Sequence, residues 1–295
     1  MTKYKSIGGT ALKRICIVAD SVCDLPKETI EKFDIHIVPI YIKFGDVVYR
    51  DGLDITPHDV YHKLRDEGMV ASTSSPSPGD FLQVFQKIAD KFETILTITL
   101  SSKLTAVFQN ACIARNLLPK KDIRVFDSSL ASIAEGFLIR EAAKAIKKGM
   151  KIDEIIVLLE KIKEKIRIFA TIDVLKYLYR SGRVPALKAM LGSTLKIKPI
   201  LTMHNGDVKI LAKIISRSAS INYICKQVID LFKNQVPIRI AIIHALCEDI
   251  AQELKKRLEK SINCVETIIT EVTPVIGAYV GPGLIGIIAL PETDI

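Results

Sequence analysis

The sequence contains no tryptophan, and phenylalanine and tyrosine together make up only 6% of its 295 residues. Its six cysteines include no C-x-x-C pair, so a cysteine-based metal site is not expected. The most apolar stretch, residues 275–290, is shorter than a membrane-spanning helix and is interrupted by glycine and proline. Because Lys3 and Lys5 are not followed by an apolar segment, we expect no signal peptide, a cytoplasmic location and reduced thiols.

Familiar motifs of nucleotide binding and serine catalysis are also missing. The sequence has no Walker A segment, and no G-x-S-x-G elbow surrounds a serine. His58 and His62 resemble the zinc-binding pair of H-E-x-x-H, but Asp59 is shorter than the required glutamate and no third ligand is indicated. We therefore predict neither a cofactor nor a metal.

The charge of the chain is strongly positive, at +9, although 48% of the residues are apolar and 25% are charged. This is the composition of a globular protein that can bury a large core, and the length favours two domains. The basic residues are interleaved with acidic ones, so we predict no nucleic-acid binding. A solvated surface explains the charge best, and an acidic partner or a transient contact with an anionic membrane are the alternatives.

Strand and helix patterns alternate through the first half of the chain. A helix is predicted at 24–33 with Asp24 as its cap, and a longer helix at 132–148. Strands are predicted at residues 14–19, 35–44, 94–100 and 123–126. The alternation predicts a parallel sheet with both faces covered and a ligand site beyond the carboxyl ends of its strands.

The second half of the chain has a different pattern. Asn205-Gly206 separates two strand patterns and is a strong hairpin signal, because these residues accept positive φ at both turn positions. The strands and helices that follow predict a mixed two-layer domain. We place the boundary near residue 166, which gives an α/β/α domain at 14–165 and a two-layer α/β domain at 166–295.

Two clusters of hydroxyl side chains lie where helices are predicted to begin. The strand pattern at 94–100 ends in Ser101-Ser102, and a helical pattern follows from Leu104. A second cluster, residues 73–78, precedes another predicted helix. Because helix N-termini favour anions, the two turns side by side would form a neutral pocket for a carboxylate or phosphate. Taken singly, either turn is better explained by helix capping.

The segment 277–283 is rich in glycine, which indicates tight turns or a close approach of the backbone to another group. One interpretation is a purely structural loop. The other is a loop that closes over the head group of a ligand, with the phenol of Tyr279 as a hydrogen-bonding group.

Several segments together resemble the DegV family of bacterial fatty-acid-binding proteins, which includes the acyl-carrying subunits of fatty acid kinase. The segments are IVADSVCDLP (17–26), ASTSSPSPGDF (71–81), TLSSKLTAVFQNA (99–111), YLYRSGRV (177–184), LKIKPIL (195–201) and IGAYVGPGLIGI (276–287). The resemblance covers residues 14–290. It implies a two-domain DegV-like α/β fold, with a three-layer α/β/α parallel-sheet domain, a two-layer mixed α/β domain, and a lipid tunnel between them.

The resemblance also implies that hydroxyl groups of the two turns hold the carboxylate of the fatty acid. By motif match these are Thr73, with its neighbour Ser74, and the pair Ser101 and Ser102. Ser102 is favoured within the pair because it is closest to the predicted helix start. Tyr279 stands where the family commonly has histidine, and it donates a hydrogen bond but carries no positive charge at neutral pH.

The function that the resemblance implies is that of a lipid-binding carrier, not an enzyme, which presents a long-chain fatty acid to a separate fatty acid kinase. A serine hydrolase or acyltransferase using Ser101 or Ser102 is one alternative, and a lipid-sensing regulatory protein is another. A basic stretch beside the tunnel is predicted to face an acidic kinase surface or an anionic membrane. It comprises Arg180, Arg183, Lys188, Lys196 and Lys198.

Overall fold

The computed structural model describes residues 13–190, 197–233 and 237–292. Within these residues the strands are β1 (Lys13–Asp20), β2 (His36–Val38), β3 (Tyr41–Phe44), β4 (Val47–Arg50), β5 (Ala71–Ser74), β6 (Phe92–Thr99), β7 (Asp122–Asp127), β8 (Arg167–Thr171), β9 (Lys198–His204), β10 (Asp207–Ile214), β11 (Ile238–His244), β12 (Cys264–Glu271) and β13 (Ile285–Pro291). The α-helices are α1 (Lys27–Phe33), α2 (Pro57–Arg65), α3 (Pro78–Ala89), α4 (Val107–Asn116), α5 (Ile133–Lys147), α6 (Ile152–Lys163), α7 (Leu175–Ser181), α8 (Arg217–Phe232), α9 (Glu248–Ser261) and α10 (Pro274–Val280). None of these helices is both long and apolar enough to cross a membrane.

The first half of the chain is built on a four-stranded parallel sheet in the order β2-β1-β6-β7. All residues from Ile95 to Thr99 in β6 are buried, which requires cover on both faces of the sheet. Helix α3 packs on α4, and α5 packs on α6. Helices α3 and α4 lie in the connections into and out of β6, and right-handed crossovers put both on one face of the sheet. Because both faces are buried, α5, which contacts β1 and β6, covers the other face together with α6, and the arrangement is a three-layer α/β/α one.

The second half is built on a six-stranded mixed sheet in the order β10-β9-β8-β13-β11-β12. Strand β11 is buried along its whole length. Ile240 and Ile242 of β11 belong to a core with α8 and α9, whereas Ala241 and Ile243 join the core of the first half. Helices therefore cover one face of the mixed sheet and the first half of the chain covers the other. The predicted fold class is confirmed.

The prediction of a single strand at 35–44 is wrong. The segment contains β2, which pairs with β1 in the parallel sheet, and β3, which lies in a separate antiparallel sheet with β4 and β5. Pro39 lies between the two strands and has no N–H to donate to a neighbouring strand. The chain therefore leaves the parallel sheet at this point.

The prediction that Asp24 caps a helix is also wrong. Helix α1 begins at Lys27, directly after Pro26, and no side chain caps its first turn. Because a proline disfavours helical geometry in the residue before it, the helix cannot start before Pro26. Asp24 instead has a φ of 48°, and its carboxyl group accepts hydrogen bonds from Ser132 and from the backbone N–H of Thr273.

The two halves of the chain share one apolar core. Every strand of the parallel sheet lies before residue 166, and every strand of the mixed sheet lies after it. Helix α10 crosses this division, because it belongs to the second half but packs on α2 and β5 of the first. The boundary between 14–165 and 166–295 stays a prediction.

Candidate functional site

A cavity of about 240 Å³ lies between the two sheets. Val22, Ile40, Leu100 and Ala131 line it from the parallel-sheet side, and each follows the carboxyl end of a different strand. The mixed sheet contributes the opposite wall with Ile168, Ala170, Leu201, Ile243 and Ile288. Since about 10–15 Å³ suffices for one water molecule, the space is large, and its mostly apolar walls offer water few partners.

One region of the cavity wall is polar. Thr73 of β5 and Tyr279 of α10 are hydrogen-bonded through their hydroxyl groups. The guanidinium carbon of Arg183 lies 4.8 Å from the centre of the Tyr279 ring. Arg183 is the only charged residue among the described residues that line the cavity. These three side chains can hold an anionic group at the edge of a mostly apolar space.

A second, smaller cavity of about 150 Å³ lies beside this polar region. Thr73, Arg183 and Tyr279 line both cavities and so separate them. The second cavity also contains Arg180 and Ser181. In the part of the chain that the structure describes, neither Arg180 nor Arg183 forms an ion pair with a carboxylate.

The side chain of Ser74, which is predicted from the sequence as a ligand beside Thr73, points away from the cavity. The two residues are neighbours in β5, where successive side chains point to opposite faces. Thr73 is half-buried and reaches the cavity, whereas Ser74 is exposed on the other face. The strand therefore presents one hydroxyl of this pair to the site.

Ser101 and Ser102 are not among the described residues that line either cavity. The Ser102 hydroxyl donates to Asp127 Oδ2 at 2.5 Å. The Ser101 hydroxyl is fully buried and donates to the carbonyl oxygen of Gly206 at 2.7 Å. Both hydroxyl groups are thus engaged by other parts of the protein, and their role as ligands stays a prediction.

The helix start that favoured Ser102 lies further along the chain. The Leu104 N–H closes a tight turn onto the Ser101 carbonyl at 3.0 Å, and α4 begins only at Val107. Thr105 and Ala106 occupy the helix start and line the cavity. Thr105 was missed by the sequence interpretation because the helical pattern was started at Leu104, whereas α4 begins two residues after Thr105.

Arg183 was assigned from the sequence to a surface for a partner, and its place in the site was missed. Its motif, YLYRSGRV, was an available signal, since it carried part of the family resemblance. Among the other members of the predicted basic stretch, Arg180 lines the second cavity, Lys188 is exposed and Lys198 pairs with Asp173 at 3.0 Å. Lys196 lies outside the described residues.

Tyr279 lies on a helix, so the interpretation of 277–283 as a loop is wrong for its first half. Gly277 faces the Tyr61 ring, where an added Cβ would come within 3.0 Å of the ring. Gly281 ends α10 with a φ of 67°, and a Cβ there would lie 2.1 Å from Tyr177. The glycines let α10 pack closely on its neighbours, which fixes the position of Tyr279.

Buried carboxyl groups hold the N-terminus of α10. Asp24 accepts a hydrogen bond from the Thr273 N–H at 2.8 Å, and Asp51 accepts one from the Val275 N–H at 3.0 Å. Asp51 also accepts a hydrogen bond from the Ser21 hydroxyl at 2.6 Å. Burial raises the pKa of Asp24 and of Asp51 to about 7, against the lowering effect of these hydrogen bonds.

The chain is similar along its length to proteins of one family. The family model described as "Uncharacterised protein, DegV family" matches residues 14–292. The chain is 31% identical over 280 residues to a DegV domain-containing protein of Caldanaerobacter subterraneus, a match that covers 94% of this chain and 98% of that protein. It is also 31% identical over 274 residues to protein DegV of Bacillus subtilis, with 92% and 98% covered.

Solved structures agree with this similarity. One of them is a DegV family protein from Thermus thermophilus that is described as binding fatty acid. It superposes with a TM-score of 0.89 at 28% identity, and the match covers 95% of this chain and 100% of that one. DegV from Bacillus subtilis, described as a fatty acid binding protein, superposes with a TM-score of 0.87 at 30% identity and the same coverage. The fold is that of a two-part α/β protein with an apolar cavity between its sheets. The chain belongs to the DegV family.

The buried carboxyl groups make folding stability depend on pH. A carboxyl group with a higher pKa in the folded than in the unfolded state binds more protons when folded, so stability falls as pH rises between the two values. For Asp24 this interval runs from the ordinary value of 3.8 to about 7. Asp24→Asn keeps an acceptor for Thr273 and offers a donor to Ser132, and it removes this titration. We expect its melting temperature to fall less between pH 5 and pH 8 than that of the wild type.

The exposed Asp90 supplies the control for this measurement. In calorimetric scans over the same pH range, the melting temperature of Asp90→Asn should fall as steeply as that of the wild type. Equal slopes for Asp24→Asn and the wild type would contradict the role given to Asp24.

Proposed function

We propose that the protein binds a long-chain fatty acid, with its acyl chain in the cavity between the two sheets. The observation that carries this proposal is the combination of an apolar cavity with a single cationic residue, Arg183, in its described lining. The carboxylate would lie against Arg183, Thr73 and Tyr279. Ser101 and Ser102 remain further ligands predicted from the sequence, whereas the proposal gives Ser74, which is exposed on the other face of β5, no part in binding.

The energetics of such a ligand suit this cavity. A sixteen-carbon chain buries about fourteen methylene groups at about 0.8 kcal/mol each, which amounts to about 11 kcal/mol before the costs of binding. A hydrogen bond to a charged group adds about 1.5–3 kcal/mol. The acyl chain therefore supplies most of the affinity, while the polar groups determine which end of the ligand reaches Tyr279.

Arg183 has free hydrogen-bonding capacity for a carboxylate. Its Nη1 donates to the Ser181 carbonyl oxygen at 2.5 Å, and within residues 13–190, 197–233 and 237–292 no other acceptor is bonded to the guanidinium, which has five N–H groups to donate. Its position over the Tyr279 ring orients the guanidinium, since a cation is attracted to the face of an aromatic ring. The hydroxyls of Thr73 and Tyr279, which now bond each other, would turn to the carboxylate.

The relatives support the same ligand class. Proteins of the family from Thermus thermophilus and Bacillus subtilis are described as binding fatty acids, and both share the complete fold with this chain. Transfer of that property to this chain rests on the apolar cavity, which supplies the space that an acyl chain requires.

We propose further that the protein presents its ligand to a separate fatty acid kinase and does not itself convert it. The described lining of the two cavities contains no histidine, the most common general base for a serine nucleophile, and the carboxyl groups that accept hydrogen bonds from Ser132 and Ser102 lie outside this lining. The second cavity, with Arg180 beside Arg183, leads to the carboxylate from the side opposite the acyl chain. Two guanidinium groups there, with no carboxylate partner among the described residues, would favour the approach of a phosphoryl donor.

The first test is the lipid content of the purified protein. Expressed in a heterologous host, the protein should carry one long-chain fatty acid per chain, detected by native mass spectrometry and identified after solvent extraction. A covalent acyl adduct on Ser101 or Ser102 would instead support the hydrolase or acyltransferase alternative. A protein that is free of lipid and does not bind added palmitate would contradict the proposal.

The second test concerns Thr73. Thr73→Val keeps the β-branched shape and removes the hydroxyl, so we expect palmitate binding to weaken by about 1–3 kcal/mol, because a buried charge loses a hydrogen bond. Calorimetric titration of delipidated protein measures the change. Ser74→Ala, on the exposed face of the same strand, is the matched control and should bind as the wild type does. An equal loss in Ser102→Ala would confirm that Ser102 turns from Asp127 to the ligand.

A third test concerns Tyr279. Tyr279→Phe retains the ring under Arg183 and removes the hydroxyl, which should cost about 1 kcal/mol of binding. Tyr279→His should tighten binding mainly below pH 6.5, where an imidazole becomes charged. Calorimetric titrations of both variants with palmitate between pH 5.5 and 8 measure these changes in affinity. Affinities that match the wild type throughout would remove Tyr279 from the carboxylate site.

A further inference from the structure

The hairpin formed by β9 and β10 extends beyond the mixed sheet. Strand β9 pairs with its other neighbour, β8, only at Ile200 and Leu201. From Thr202 to the turn, β9 pairs only with β10. Asn205 and Gly206 form the turn with φ of 50° and 82°, the conformation that two-residue hairpins favour. The hairpin is thus held at its base by the sheet and projects toward the first half of the chain.

One residue at the tip of this hairpin is buried, although turns usually lie on the surface and His204 and Asn205 here are exposed. Gly206 is buried against Ser101, whose hydroxyl donates to the Gly206 carbonyl oxygen at 2.7 Å. Ser101 itself is fully buried. At the rim, Lys103 and Asp207 form an exposed ion pair at 3.7 Å, which adds little to stability. The buried hydrogen bond is therefore the main polar contact between the tip and the first half.

The same hairpin forms part of the cavity wall. Leu201, Thr202 and Met203 of β9 and Val208 of β10 all line the cavity. These residues lie between the base, which the sheet anchors, and the tip, which Ser101 holds. If the tip left Ser101, this part of the wall would move away and the cavity would open.

We propose that the β9–β10 hairpin is a lid over the cavity and that Ser101 is the positioning residue that holds it closed. This assignment deepens the proposed function and rests on it, because the lid controls the entry and exit of the fatty acid. It gives Ser101 a role different from that of a carboxylate ligand, and the two roles differ in their kinetic consequences.

The hydrogen bond from Ser101 to Gly206, called the latch from here on, joins two parts of the protein. It therefore stabilises the closed state whether or not the ligand is present. Weakening the latch raises the fraction of open protein, so association and dissociation accelerate by the same factor and the dissociation constant stays the same. Loss of a ligand group has another effect, because it accelerates dissociation alone and raises the dissociation constant.

The experiment is stopped-flow fluorescence with cis-parinaric acid, a fluorescent eighteen-carbon fatty acid, on delipidated protein. Ser101→Ala should raise both rate constants about tenfold, since it removes a buried hydrogen bond, and should leave the dissociation constant within twofold of the wild type. Ser101→Thr keeps the hydroxyl and should restore slow kinetics. A rise in dissociation alone would make Ser101 a ligand, and unchanged rates would overturn the latch.

Gly206→Ala disrupts the same hydrogen bond by a change at its acceptor residue instead of its donor. An added Cβ at Gly206 would lie 2.7 Å from Ser101 Oγ, so the tip would be displaced. Gly149→Ala is the matched control, because Gly149 has a similar φ of 80° but no atom within 4 Å of an added Cβ. We expect fast kinetics in Gly206→Ala and wild-type kinetics in Gly149→Ala. Fast kinetics in both would assign the effect to backbone strain and overturn the latch.

Hydrogen exchange of the ligand-free protein separates the lid from the proposed function. In Ser101→Ala, the peptide covering residues 200–208 should exchange faster, while peptides from β1 keep their wild-type rate. If cis-parinaric acid does not bind, the proposed function fails, and faster exchange at 200–208 would still support the latch. Unchanged exchange in this peptide would overturn the latch whether or not the protein binds fatty acid.

Discussion

The arrangement of the site depends on two buried carboxyl groups that accept hydrogen bonds from the N-terminus of α10. Asp24 and Asp51 come from the first half of the chain, and they accept hydrogen bonds from the backbone at the start of α10 in the second half. A backbone N–H at a helix start has no partner within its own helix, so these contacts satisfy groups that burial would otherwise leave unpaired. Through α10, the same contacts set the position of Tyr279 against Thr73.

Much of the fold could be predicted from the sequence because local patterns and tertiary packing agree. Thr56 and Ser77 begin helices with reciprocal capping boxes, as the residues around each proline suggest. Helix α6 was missed although Ile155, Leu159 and Ile162 are buried at helical spacing. The break at Pro39 could not be placed from periodicity, since the apolar pattern continues on both sides of it.

The site was harder to predict than the fold, because hydroxyl side chains serve many purposes. Thr73 and Tyr279 are more than two hundred positions apart, and only tertiary structure brings their hydroxyls together. Ser101 and Ser102 have the composition of an anion-binding turn, yet each hydroxyl is directed to an acceptor within the protein. Arg183 carries no local sign of burial beside a cavity, since sequence spacing does not show which side of the helix end faces inward.

The shared core has a consequence for how the molecule unfolds. Ala241 and Ile243 face the first half of the chain across the sheet interface, in the same core as Ile98 of β6. Separating the halves would expose this apolar surface to water at about 25 cal/mol for each Å². Neither half can therefore lose its structure without removing packing from the other. We therefore expect the two halves to unfold together, although the second half also has a core of its own between the mixed sheet and helices α8 and α9.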